Sequence, residues 1–129
     1  MIYQALDSEL KLLAKTPGVI ACVLVSADTG MIFLSSAKSD QIDVMAEAAR
    51  DYWVLHQKNG KVFEALGSVR NVFIQHERAH LSVQMFGHSS MLLVTISRLR
   101  SVDWSSWSAN TKKISELLYK LDVSNGKCE

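Results

Sequence analysis

The chain has 129 residues, of which 21% are charged, and carries a formal net charge of +1. That length fits about one domain with a single ordinary hydrophobic core; Lys and Arg are scattered, with no run longer than Lys112-Lys113, so neither a basic nucleic-acid surface nor an acidic tail is expected. The longest apolar run falls far short of the roughly 20 residues of a membrane helix, and Asp7 and Glu9 interrupt the N-terminus before a signal-peptide segment can form, which predicts a cytoplasmic protein without membrane insertion.

Ile2, Leu6, Leu10 and Leu13 recur at helical spacing and predict an amphipathic first helix over 2–15, stopped by Pro17-Gly18. Val19 to Val25 is a β-branched run and Met31 to Leu34 resumes it after Asp28-Thr29-Gly30. This reads as a hairpin in which Gly30 supplies a positive φ. In the first run Val19, Ala21, Val23 and Val25 share one parity and Ile20, Cys22 and Leu24 the other, so the strand is covered on both faces. Cys22 falls in this buried strand and Cys128 in the terminal tail, and the two read as reduced thiols rather than a disulfide.

Asp40 is placed to cap a second helix over 40–58, with Asp43 in its first turn and a stripe of Ile42, Met45, Ala46, Ala49 and Trp53. Asn59-Gly60 ends it, and a short helical turn over 61–66 continues the stripe through Phe63 and Leu66. Val69 to Gln75 predicts a third strand. Leu81, Val83 and Met85 alternate with Ser82 and Gln84 in a fourth strand with one wetter face. Gly87 to Ser90 is a turn, with His88 solvated, and Met91 to Ile96 is a second strand apolar at both parities. A last helix begins from Asp103 or Ser108; the spacing of Trp104, Trp107, Thr111, Ile114, Leu118 and Leu121 favours the earlier start. The two tryptophans fit the core first and a partner anchor second. The result is one domain over 1–123, followed by a frayed tail at 124–129.

These elements assemble into an α/β fold of the α+β type, in the order α-β-β-α-β-β-β-α. A central five-stranded antiparallel sheet carries the middle helix on one face and the N- and C-terminal helices on the other. Strands 19–25 and 91–96 should be neighbours in mid-sheet.

His76-Glu77-Arg78-Ala79-His80 matches H-E-x-x-H, but zinc-protease chemistry needs those residues on a helix so that both imidazoles share a face. Here the flanks are strand-like, and Val83 and Phe86 stand where the longer pattern has Gly and His. There is no phosphate loop, dinucleotide fingerprint or G-x-S-x-G elbow. No catalytic residue, metal or cofactor is assigned.

The pattern resembles the roadblock family, named for the dynein light chain and including bacterial regulators of small GTPases. The residues that carry the likeness are Thr16-Pro17-Gly18-Val19, then Ala21-Cys22-Val23-Leu24-Val25-Ser26, then Asp28-Thr29-Gly30. The helix with Ala46, Ala48 and Ala49, the hairpin around 69–86 and the strand at 91–96 follow in the family's order. Tyr52 and Trp53 in the middle helix, a hairpin tip without Gly and the Trp104/Trp107 pair depart from the family's pattern. The resemblance implies a non-enzymatic dimer, joined through its middle helix and third strand, that binds and regulates or scaffolds a Ras-like small GTPase. Tyr52, Trp53, His56, Val72, Phe73 and Ile74 are the candidate dimer or partner contacts. Arg50, Arg70, Arg78, Arg98 and Arg100 are available to act in trans on GTP hydrolysis. A PAS- or profilin-like ligand sensor is the alternative, and it requires a concave pocket with convergent polar groups.

Overall fold

The structure is a computed structural model that describes residues 1–86, 89–98, 103 and 105–124. Trp104, Gly87, His88, Arg100, Cys128 and residues 125–129 of the tail expected over 124–129 lie outside the described residues, while Ser124 is still helical.

Helix α1 (Ile2–Leu13) buries Leu6, Leu10 and Leu13 along one stripe. The chain then turns through Gly18, with φ of 89°, into β1 (Val19–Ser26) and β2 (Ile32–Ser35), with Gly30 at φ of 78° in the turn between them. Helix α2 spans Asp40–Lys58, the expected bounds, but its N-cap is Ser39 rather than Asp40. Ser39 Oγ accepts from the Ile42 amide at 3.3 Å, and Asp40 becomes the first helical residue, where its charge still favours the helix dipole.

A 3₁₀ turn (Glu64–Leu66) precedes β3 (Asn71–Gln75), β4 (His80–Met85) and β5 (Met91–Ser97). The sheet order is β2-β1-β5-β4-β3, antiparallel throughout. The two strands apolar at both parities therefore lie side by side, with Val23 opposite Val94 and Leu24 opposite Leu93.

Each face of the sheet has its own core. Cys22, Leu24 and Leu93 pack with α1 and with Ile114, Leu117 and Leu118 of the last helix. Val23, Val25, Val83, Leu92 and Val94 pack with Ala46 and Ala49 of α2. Ile20 departs from expectation: it is about half exposed, because the β1–β5 register slips between Val19 and Ala21 and breaks the parity there.

Two further expectations are corrected. The Ser82/Gln84 face of β4 is polar but not wet: Ser82 is buried, and Gln84 Nε2 donates to Thr111 Oγ1 at 3.0 Å beneath the last helix. That helix starts later than Asp103, as a short α3 (Trp107–Asn110) followed by α4 (Lys112–Ser124). Asp103 instead accepts from the Ser105 hydroxyl and amide, which hold its carboxyl below the usual carboxylate range. Trp107 is core, packed in the α1/α4 cluster.

Candidate functional site

Helix α2 sits on the sheet through small side chains. Of its 19 residues only Ala46 and Ala49 are buried, with Ile42 and Trp53 half-buried beside them. Larger apolar groups are left outside: Val44 is 65% exposed, Leu55 59%, Tyr52 40% and Met45 38%. Burying a side chain of that size is worth about 1.5–3 kcal/mol, which makes this apolar face a candidate interaction surface. The expectation that Phe63 and Leu66 continue the buried stripe fails. Both are exposed, because the 3₁₀ turn leaves the helix axis after Asn59 caps it.

Beside this face runs a sheet edge. β3 is the outermost strand, hydrogen-bonded to β4 on one side and to no strand on the other among the described residues. Asn71–Gln75 contains no Pro and no charge, the features that usually block pairing at an edge. Val72 and Ile74 are half-buried on the α2 side. Phe73 points to the other side of the sheet, its ring 4.8 Å from that of His80.

Between α2 and the β3–β4 hairpin the surface is hollow. One depression of about 350 Å³ is lined by Met45, Ala48, Tyr52, Ala79, Leu81 and Ile96 among others. A second of about 490 Å³ is lined by Tyr52, Leu55, His56, Asn59, Phe63 and Val72. Tyr52 lines both, and His56 stacks on Phe63 at 5.0 Å to close the far end.

The six residues singled out from the sequence thus fall into different settings. Tyr52 and His56 border the hollows, Trp53 leans into the α2-side core, and Val72 and Ile74 line the face that Phe73 turns away from. Val44, Leu55, Val62 and Leu66 are exposed and were not singled out. A second stripe at 44, 48 and 55, helically spaced and offset from the alanine stripe, was the signal for the first part of that surface.

Residues 76–80 reverse the β3–β4 hairpin, with the His76 amide donating to the Ala79 carbonyl at 2.8 Å. The helical arrangement that zinc-protease chemistry needs is absent there. No group of three His, Cys, Asp or Glu side chains among the described residues is placed to hold a metal. No described helix is long and apolar enough to cross a membrane. Of the available arginines, Arg50 is engaged by backbone carbonyls, and Arg70, Arg78 and Arg98 are exposed.

No family model and no curated protein matches the sequence. Solved structures do match. A Roadblock/LC7 domain from Streptomyces avermitilis is 21% identical, covering 92% of this chain and 95% of that one at a TM-score of 0.69. The gliding protein MglB from Thermus thermophilus is 17% identical, covering 96% and 93% at 0.71. An MglB in a tetrameric arrangement is 16% identical, covering 96% and 92% at 0.72. At these identities the likeness is one of fold. The chain has the roadblock architecture over nearly its whole length.

Proposed function

We propose that this chain is a non-enzymatic, cytoplasmic interaction module that dimerises through α2 and β3. In this reading it binds a Ras-like small GTPase, which it regulates or around which it scaffolds a complex. The observation that carries the reading is the pairing of an α2 anchored by two alanines with an open β3 edge directly beside it. A second copy adding its own β3 satisfies the unpaired amides and carbonyls. Its α2 then fills the hollows on either side of Tyr52 and covers Leu55, where desolvated aromatic and aliphatic anchors contribute most. The roadblock architecture and the tetrameric MglB neighbour are consistent with self-association.

Regulation follows from differential binding. A dimer that contacts the partner's switch segments better in one nucleotide state shifts the partner toward that state by the difference in affinity. Arg50 is not the arginine to act in trans, since its guanidinium is committed to the turn after β1. Arg70 and Arg78, exposed at the two ends of the β3 segment, remain available.

Two measurements test the reading. Light scattering after size exclusion is expected to give twice the chain mass at micromolar concentration. Titration against Ras-like GTPases from the source cell, loaded with GDP or a non-hydrolysable GTP analogue, is expected to give binding that differs between the two states. A strict monomer with no affinity for either form overturns it.

A further inference from the structure

A third and larger hollow, of about 580 Å³, lies under the C-terminal half of α2. It is bounded by the helix, the turn after β1, the 3₁₀ turn and the adjoining ends of β4 and β5. Its lining includes the buried Leu92 and the half-buried Met85, both packed in the α2-side core, and its walls include Trp53 and the stacked pair His56 and Phe63. Asp28 and Glu64, both exposed, stand in its lining, and no Lys or Arg does among the described residues. Gln57 and Gly60 bring in the C-terminal end of α2, which carries the negative end of the helix dipole. Lys58 and Lys61 are exposed and do not line it.

We propose that this hollow receives an arginine side chain presented by a partner protein. The chemistry is complementary at each level. A guanidinium is a planar, weakly hydrated cation that stacks on aromatic faces, and Trp53 and Phe63 offer such rings. Its fork of donors matches carboxylates, and Asp28 and Glu64 supply two. Its methylene stem is apolar and suits a cleft lined by Met85 and Leu92. An acidic or neutral polar side chain gains none of this, and an aliphatic one leaves the carboxylates without a partner. His56 and Phe63 also line the hollow beside Tyr52, so a partner seated there and one reaching here share a common wall. The inference rests on the interaction-module reading for the existence of a protein partner, but the pocket is tested without one.

The probe is N-acetyl-arginine amide, titrated into the isotopically labelled chain alone and read from the Trp53 indole N–H and the Glu64 amide. A saturable shift is expected for the arginine amide and none for the norleucine amide or the glutamate amide. Asp28→Asn and Glu64→Gln, both near-isosteric, should each weaken binding about two- to fivefold, with unchanged melting temperature as the check on folding. Equal response to norleucine amide, insensitivity to both substitutions, or no saturable shift at tens of millimolar overturns the proposal. Because the readout requires neither self-association nor a GTPase, its failure leaves the proposed function standing, and success here does not depend on it.

Discussion

Arg50 lies across Gly30. Its Nε donates to the Ala27 carbonyl at 2.6 Å and its guanidinium to the Asp28 carbonyl at 2.9 Å. A Cβ on Gly30, where φ is +78°, would stand 3.3 Å from Arg50 Cδ. The missing side chain is therefore part of the contact: the turn after β1 is open enough for an arginine from α2 to lie against it. A helix that touches the sheet mainly through alanines is tied at mid-length by this one long side chain.

Arg50→Met keeps most of the apolar stem and removes both donors. Hydrogen bonds from a charged group contribute about 1.5–3 kcal/mol, so urea unfolding should show a loss near 2 kcal/mol. Gly30→Ala places an L-residue in the left-handed region, at a cost of about 1–2 kcal/mol, and crowds Arg50 as well. Because the two sites touch, the double variant should lose less than the sum. Additive losses would mean that Gly30 matters for its backbone alone.

The alanine contact carries its own prediction. Ala46 and Ala49 are fully buried against Val23, Val25, Val83, Leu92 and Val94. Ala46→Leu forces α2 away from the sheet and should destabilise by about 1–3 kcal/mol. Glu47→Leu, exposed on the same turn and outside the lining of the hollows, should change stability by less than about 0.5 kcal/mol. Thermal melts of the pair decide it: similar shifts for both would contradict an alanine-mediated seat.

Which parts of this arrangement can be read from sequence follows from what each signal encodes. Cys22 and Leu24 alternating with Val23 and Val25 report burial on two faces, and a strand with two buried faces must be central; β1 and β5 are. The bounds of α2 were legible because Asn59-Gly60 stops it chemically. Its cap was not, since Ser39 and Asp40 are adjacent and both are good caps. Nor was the cover over Ser82 and Gln84, because a polar strand face looks wet until Thr111 is found above it. The hollows around Tyr52 are negative space, set by how far α2 stands from β3, and no residue pattern encodes a gap.

Burial of Cys22 pushes its thiol up from an ordinary 9.0 to about 12, offset in part by the contact with Thr95 Oγ1 at 4.0 Å. In a chain with Cys128 replaced by Ser, a disulfide reagent at pH 8 should label Cys22 only as fast as the protein unfolds. The native thiol keeps its proton at pH values where the unfolded thiol has lost it. Its contribution is therefore intact below pH 9.0 and falls away between 9.0 and about 12. Against Cys22→Ala, the chain should lose stability progressively more over that window, by up to about 4 kcal/mol at its top. Parallel pH profiles for the two proteins would show the thiol to be accessible to water.

The free edge of β3 gives the sharpest test of self-association. Phe73 is about half exposed at mid-strand, so Phe73→Lys can be accommodated by a folded protomer while setting a charge on the edge that a second copy must pair with. Two such lysines brought together across a shared edge repel each other and lose hydration. Light scattering should find the variant monomeric at concentrations where the parent is dimeric, with the same far-ultraviolet circular dichroism. Leu12→Lys, at a somewhat more exposed apolar position on α1, serves as the control and should leave the mass unchanged. If Leu12→Lys dissociates the protein and Phe73→Lys does not, the shared surface lies on the α1 side of the sheet, and the β3 edge is closed by something other than a second copy.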